Sequence, residues 1–288
     1  MTIALWIVIA TLIFFLVVRG LINQTPRIQL AVYLLLPVAL GVIFAVRGAD
    51  ITGFFAYIKF VLILSATLFT MGLRYRGWVE RPWARLLFYF LILFNLVEAA
   101  TFDLYDYLAS TPEVPLGGSA INFVAWVIII LTLSYPRLLT LENSDKRTLH
   151  FDIGWGWVIA YTICDYVFLF GSNAPGEIPG LWGGYNIIQL AVPLLLIGRD
   201  ASLYMQMRVY ALTWNVFLPL AYPHPPLMYQ TPDWYGPNLI TALELASLAA
   251  ALYLVWRSWN WVRSSQEGEG APRNLLESAL CRLGLATR

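Results

Sequence analysis

Apolar side chains arrive along this chain in long stretches, and most polar ones are confined to the short segments between them. A helix needs about 20 residues to cross a hydrocarbon core. Stretches of roughly that length fall at 3–19, 28–46, 54–73, 86–104, 119–138, 153–171, 182–198, 202–222 and 237–257. The pattern predicts an all-α fold, a polytopic transmembrane bundle of about nine spans. Turn-forming clusters separate the stretches, among them Gln24-Thr25-Pro26, Glu80-Arg81-Pro82, Thr111-Pro112-Glu113-Val114-Pro115, Asn173-Ala174-Pro175-Gly176 and Pro223-His224-Pro225-Pro226. All connections are short, so residues 1–258 are expected to form one helical bundle. Beyond it, Ser264 to Gly270 reads as a flexible linker. Leu275, Leu276, Ala279, Leu280 and Leu283 then recur at helical spacing. The tail at 259–288 is therefore expected either to lay an amphipathic helix on the membrane surface or to end as a frayed segment.

Composition removes the soluble alternative. Hydrophobic residues make up 59%, charged residues 12%, and the mean hydropathy is +0.68, whereas a soluble domain carries roughly a quarter charged residues. A net charge of +1, with basic residues spread between apolar stretches, gives nucleic acid no surface to bind. Cys164 and Cys281 are the two cysteines, which excludes a disulfide framework and a paired-cysteine metal site. No Lys or Arg precedes the first stretch and no small-residue cleavage site follows it, so it is expected to be a retained span.

Charge placement orients the bundle. Of the 18 Lys and Arg residues, Lys59 and Arg208 fall inside spans and Arg47 in an even-numbered loop. The others lie in loops one, three, five and seven or in the tail. The positive-inside rule then puts the N-terminus outside and the C-terminus in the cytoplasm.

Away from the span ends, five ionisable residues fall within the spans proper: Lys59, Glu98, Asp165, Arg208 and Glu244. Each costs ~2.5–3.5 kcal/mol at a helix centre on the insertion scale, so they should face the interior and pair, or line water. At a rise of ~1.5 Å per residue, Lys59, Glu98, Asp165 and Glu244 sit at a similar depth, a little to the outer side of their span midpoints, with Asn215 beside them. Asn95 lies near the midplane. Asn122, Asn186 and Gln189 lie further out, and Arg208 is displaced inward. Helical spacing places Asn95 with Glu98, Tyr161 with Asp165, Arg208 with Asn215, and Asn238 and Thr241 with Glu244 on shared faces. Tyr57, Tyr166, Trp126, Trp155, Trp157 and Trp214 could wall a cavity at this level, although packing or an interfacial belt is the more ordinary role for tryptophan. If all five groups are ionised the belt carries one excess negative charge. Either a carboxyl stays protonated or a bound cation supplies the balance. The alternative is that these residues only lock helices together through buried pairs.

Motifs for soluble chemistry are missing: there is no GxSxG, HExxH, P-loop or dinucleotide fingerprint. His150 and His224 fall in loops, which leaves no histidine-based metal site in the membrane. Lys59 could form a Schiff base with an aldehyde, but a salt bridge to Glu98 or Asp165 is the simpler assignment. No cofactor can be named.

Several segments resemble an uncharacterised bacterial family of polytopic membrane proteins, a domain of unknown function. They are Tyr57-Ile58-Lys59 continuing to Leu73-Arg74-Tyr75, Phe94-Asn95-Leu96-Val97-Glu98 with Asp103, Ile121-Asn122, Asp152 with Ile159-Ala160-Tyr161 and Asp165, and Leu220-Ala221-Tyr222-Pro223. The resemblance implies a multi-pass protein of the bacterial cytoplasmic membrane. It draws attention to Lys59, Asn95, Glu98, Asp103, Asn122, Tyr161 and Asp165, and brings no activity.

The sequence thus leads to a membrane-embedded transporter or sensor for a small polar or cationic ligand. Glu98, Asp165 and Glu244 would contact the ligand, with Lys59, Asn95, Tyr161, Asn215 and Arg208 around them and Asp103, Asn122, Asn186 and Gln189 at the rim. A second reading is an intramembrane enzyme acting on a lipid or isoprenoid, with a carboxyl as general acid. A third is a structural subunit of a membrane complex.

Overall fold

A computed structural model describes residues 3–46, 54–114, 116–143, 147–171, 183–221, 231–264 and 270–283, with backbone alone at 44–45, 54–60 and 215–221. The fold is mostly helical, and helix occupies part of each of the nine apolar stretches. In order the elements are α1 (Ile3–Ile22), α2 (Pro26–Leu30), α3 (Leu36–Val46), α4 (Phe54–Tyr75), α5 (Pro82–Ala109), α6 (Ala120–Leu131), β1 (Leu139–Leu141), β2 (Leu149–Phe151), α7 (Gly154–Gly171), α8 (Gly183–Ile197), α9 (Tyr204–Ala221), α10 (Pro237–Ser264) and α11 (Leu275–Arg282). Among the described residues, four helical segments are long and apolar enough to cross a membrane: Ile3–Ile22, Pro26–Ile43, Pro82–Ala109 and Pro237–Ser264.

The chain divides into two compact units, each assembled from separated stretches. The first comprises Met1–Leu91, Leu139–Phe151 and Ile187–Gln230, and the second Ile92–Leu138, Asp152–Asn186 and Thr231–Arg288.

In the first unit, α4 and α9 pack side by side, and the Thr67 and Thr213 hydroxyls meet at 2.6 Å. Between α2 and α3 the chain forms a π-helical turn, Ala31–Leu35. Pro37 follows it, and a proline ring clashes with the carbonyl four residues earlier, here Tyr33; the wider turn relieves that crowding. Arg74, 1% exposed, donates from Nη1 to Gln29 Oε1 at 3.0 Å and to the Tyr210 hydroxyl at 2.7 Å, and from Nε to the Arg147 carbonyl at 3.0 Å. Arg147 Nε in turn donates to the Arg74 carbonyl. This exchange draws a short antiparallel hairpin onto the helices: β1 pairs with β2, Leu139 opposite Phe151 and Leu141 opposite Leu149.

The second unit is built around α10, which packs against both α6 and α7. Its fifth apolar stretch departs from expectation. The predicted span runs to residue 138, but α6 stops at Leu131. Pro136 has no N–H to continue the helical ladder and its ring would crowd the Thr132 carbonyl, and the intervening polar groups bond elsewhere: Ser134 Oγ donates to the Asp152 carbonyl at 2.6 Å and the Tyr135 N–H to the Arg273 carbonyl at 2.7 Å. The second bond belongs to the tail. Asn274 caps α11 by accepting the Glu277 N–H at 2.9 Å. The Glu277 carboxylate accepts the Arg273 N–H at 2.7 Å and the Asn274 amide at 3.0 Å, a reciprocal cap that starts the helix sharply. α11 then packs on α10.

Candidate functional site

The second unit gathers a buried polar node at the start of α6. Gly117 and Gly118 both take positive φ, 78° and 73°, a conformation glycine adopts without steric cost. A β-carbon on Gly118 would collide with the Asp103 carbonyl and the Tyr107 N–H of α5, so only glycine lets the turn lie this close. Ser119 then caps α6, its hydroxyl accepting the Asn122 N–H at 3.1 Å. Its own N–H donates to Asp103 Oδ1 at 2.8 Å.

Asn122, fully buried, is the centre of this node. Its Nδ2 donates to Asp103 Oδ2 at 2.5 Å and to the Cys164 carbonyl of α7 at 3.1 Å, while its Oδ1 accepts the Ser247 hydroxyl of α10 at 2.7 Å. One amide therefore bonds to three other helices and uses all its stronger donor and acceptor directions. Glu244, half-buried and one turn before Ser247 on α10, has its carboxylate within hydrogen-bonding range of the Ser119 hydroxyl. It is close enough to Asp103 for the two charges to act on each other. Ser119 thus stands between the two carboxylates, bonded through its N–H to Asp103 and interacting through its side chain with Glu244. Among the described residues no lysine or arginine is paired with either.

The predicted belt is distributed over both units. Glu98, Asn95, Tyr161, Asp165, Asn186, Glu244, Asp103 and Asn122 belong to the second unit, whereas Lys59, Gln189, Arg208 and Asn215 belong to the first. Glu98 and Asn95 are half-buried on α5; Asp165 and Tyr161 are buried on α7, and Asn186 is buried on α8. The Tyr57, Lys59 and Asn215 side chains lie outside the described residues. Tyr161 stacks on Trp157 with ring centres 5.2 Å apart and meets Trp126 edge-on at 5.8 Å, so these aromatics pack a core. Tyr166 stacks on Phe170 at 5.1 Å and Trp214 lies against Tyr33 at 6.4 Å, while Trp155 is exposed.

Arg208 has a local partner that spacing alone does not suggest. Pro193 lies inside α8 and carries no N–H, so the carbonyl four residues earlier, that of Gln189, loses its helical donor. Arg208 Nη1 donates to that carbonyl at 3.1 Å. Ser119 and Ser247 are functional candidates that a search for ionisable groups passes over. Ser247 extends the three-residue series Asn238, Thr241, Glu244 along α10, and Ser119 follows the Gly-Gly pair, so both leave a trace in the sequence.

Outside the helices, His150 Nδ1 meets the Ser202 hydroxyl at 2.7 Å and lies 3.4 Å from Asp200. Partial burial opposes the Asp200 charge, but two hydrogen bonds from Ser202 and the nearby imidazole outweigh it and hold the carboxyl below its usual value. One imidazole nitrogen faces both partners, which pins a turn and does not relay a proton from Ser202. Among the described residues no cluster of three or more metal-ligating side chains occurs.

With this geometry in place, the family match can be weighed. The model of the Family of unknown function (DUF5692) matches residues 1–266. The chain belongs to this family. Its match takes in both units, every residue of the polar node and all of α10, and stops before α11. No curated protein and no solved structure matches the chain.

Proposed function

We propose that this member of the family is a nine-span protein of the bacterial cytoplasmic membrane, N-terminus outside and C-terminus inside, that binds a small cation or protonated polar ligand as a transporter or sensor. The observation that carries the reading is the cluster of Asp103 and Glu244 about Ser119. Two carboxylates held close together in an apolar bundle repel each other, and the repulsion is relieved by a shared proton or a bound cation. Glu98 on α5 and Asp165 on α7 extend the acidic character of the same unit. The charge asymmetry of the loops and the resemblance to bacterial membrane proteins support the topology and location.

The test is direct. Purified protein reconstituted in vesicles should bind or take up a cation, or release protons on ligand addition, and Glu244→Gln should abolish this while Trp fluorescence and thermal unfolding stay close to wild type. Unchanged binding in Glu244→Gln and Asp103→Asn would remove the reading. One observation favours the structural-subunit alternative: both donors and the oxygen of the Asn122 amide are bonded to other helices, as a helix lock requires. The two readings separate on Glu244, which a pure lock does not need.

A further inference from the structure

A second polar site lies at the other end of α10, away from the carboxylate node. Within the second unit, the C-terminal turns of α10, the start of α7 and the tail enclose a cavity of about 50 Å³, room for a few water-sized atoms. Arg257, Ser258, Arg273, Trp261 and Glu277 are among its walls.

Most polar groups here are already committed. Glu277 is used by the α11 cap. Arg273 holds Asp152 at 2.5 Å. Among the described residues, Arg257 and Ser258 make no hydrogen bond or ion pair, and Ser258 is only 3% exposed. A hydroxyl so deeply placed and unbonded leaves a donor waiting for an acceptor, and the exposed Arg257, which lines the same cavity, brings a guanidinium with no partner among the described residues. The guanidinium lies against the start of α7: a β-carbon on Gly154, where φ is +74°, would lie 2.7 Å from Arg257 Nη1. Gly154 opens α7, so the positive end of that helix faces the same spot.

The surroundings indicate the depth of this cavity. α10 has 28 residues, about 42 Å at 1.5 Å per residue, against a hydrocarbon core of ~30 Å. Its ends must therefore reach the headgroup layer. Tyr253, Trp256 and Trp259, on the same C-terminal turns of α10, and Trp155, in the first turn of α7, are exposed, as the aromatic residues of an interfacial belt are.

We propose that this cavity binds a phosphate group through Arg257 and Ser258, with Arg273 at its edge, and that the phosphate is the headgroup of an anionic membrane lipid. The proposal rests on the membrane-spanning reading, but not on the carboxylate site or its ligand. Arginine recognises phosphate through a fork of two N–H donors, and exposed aromatic rings on the same helix turns suit the interfacial layer in which lipid headgroups lie.

The experiment uses the full chain in detergent and in nanodiscs. Native mass spectrometry should show the wild type retaining phosphatidic acid or phosphatidylglycerol in preference to phosphatidylcholine. Arg257→Gln should weaken that retention about tenfold or more, the scale of a lost charge-assisted hydrogen bond. Ser258→Ala should weaken it less, and Arg263→Gln, a basic change on the same helix outside the cavity, should leave it unchanged. Inorganic phosphate titrated in detergent separates the sources: Arg257-dependent saturation by phosphate alone would identify a soluble phosphate as the ligand and overturn the lipid assignment, and its absence beside Arg257-dependent lipid retention supports it. Equal lipid retention by wild type and Arg257→Gln, or equal loss in Arg263→Gln, would overturn the site. Failure of the wild type to enter nanodiscs would count against the membrane reading itself, a result distinct from loss confined to Arg257→Gln.

Discussion

At the residue scale, one buried amide does more than any of the ionisable residues that the sequence first brings forward. Replacing Asn122 by Ala leaves the Asp103 carboxylate, the Cys164 carbonyl and the Ser247 hydroxyl without their shared partner. Leaving a buried polar group unsatisfied costs about 1–3 kcal/mol, more for a charged one, so Asn122→Ala should destabilise the protein by ~3 kcal/mol or more, read as a large fall in unfolding temperature in detergent. Gly118→Ala should be comparably damaging, because its β-carbon would strike the α5 backbone and its φ is 73°. Gly20→Ala is the contrast: nothing lies within 4 Å of the added carbon, and a helical Gly-to-Ala change stabilises by up to about 1 kcal/mol. Parallel melting of the two variants checks both signs.

The node was partly legible. Insertion cost draws the eye to Glu98, Asp165 and Glu244, and the family resemblance adds Asp103 and Asn122 at the rim. What sequence cannot supply is which donor meets which acceptor. That depends on the turn geometry of Gly117 and Gly118, which brings Ser119 onto α5, and on the rotation of α10, which turns Ser247 toward Asn122.

At the element scale, prolines explain departures from regular helix, and one of them sets up a test. Because Pro193 cannot donate to the Gln189 carbonyl, Arg208 supplies that bond. Arg208→Met should therefore cost more in the wild type than in a Pro193→Ala background, where residue 193 regains its N–H. A double-mutant cycle of unfolding free energies should show ~1 kcal/mol of coupling; strict additivity would mean that the guanidinium serves other partners alone. Elements as such were read from the sequence with ease, since an apolar stretch of membrane length has few alternatives to helix. The hairpin was not. Its strands are three residues each, too short for alternation to register, and it depends on the distant exchange between Arg74 and Arg147 and on Gln206, whose Oε1 accepts the Leu149 N–H at 2.6 Å.

At the scale of the whole molecule, the two cysteines offer a native probe of orientation. Cys164 is buried and Cys281, in α11, is partly accessible. A membrane-impermeant maleimide should label Cys281 in inverted vesicles and not in right-side-out ones if the tail is cytoplasmic, and Cys281→Ser should remove the signal. The reverse pattern would invert the proposed topology. The charge rule that predicts this orientation counts loop residues alone, and so carries no information about how the chain divides into two interleaved units.

That interleaving has a cost in time. The Asn122 amide waits for Ser247, 125 residues later in the chain. At a synthesis rate of 5–20 residues per second this is about 6–25 s during which the Asn122 side-chain oxygen Oδ1, already committed to a buried helix end, lacks its Ser247 donor. A ribosome that stalls before α10 leaves behind a chain whose polar centre is open to lipid, where each unsatisfied group costs several kcal/mol. Such nascent chains should be short-lived in the cell, and α10 is the segment whose arrival closes the centre.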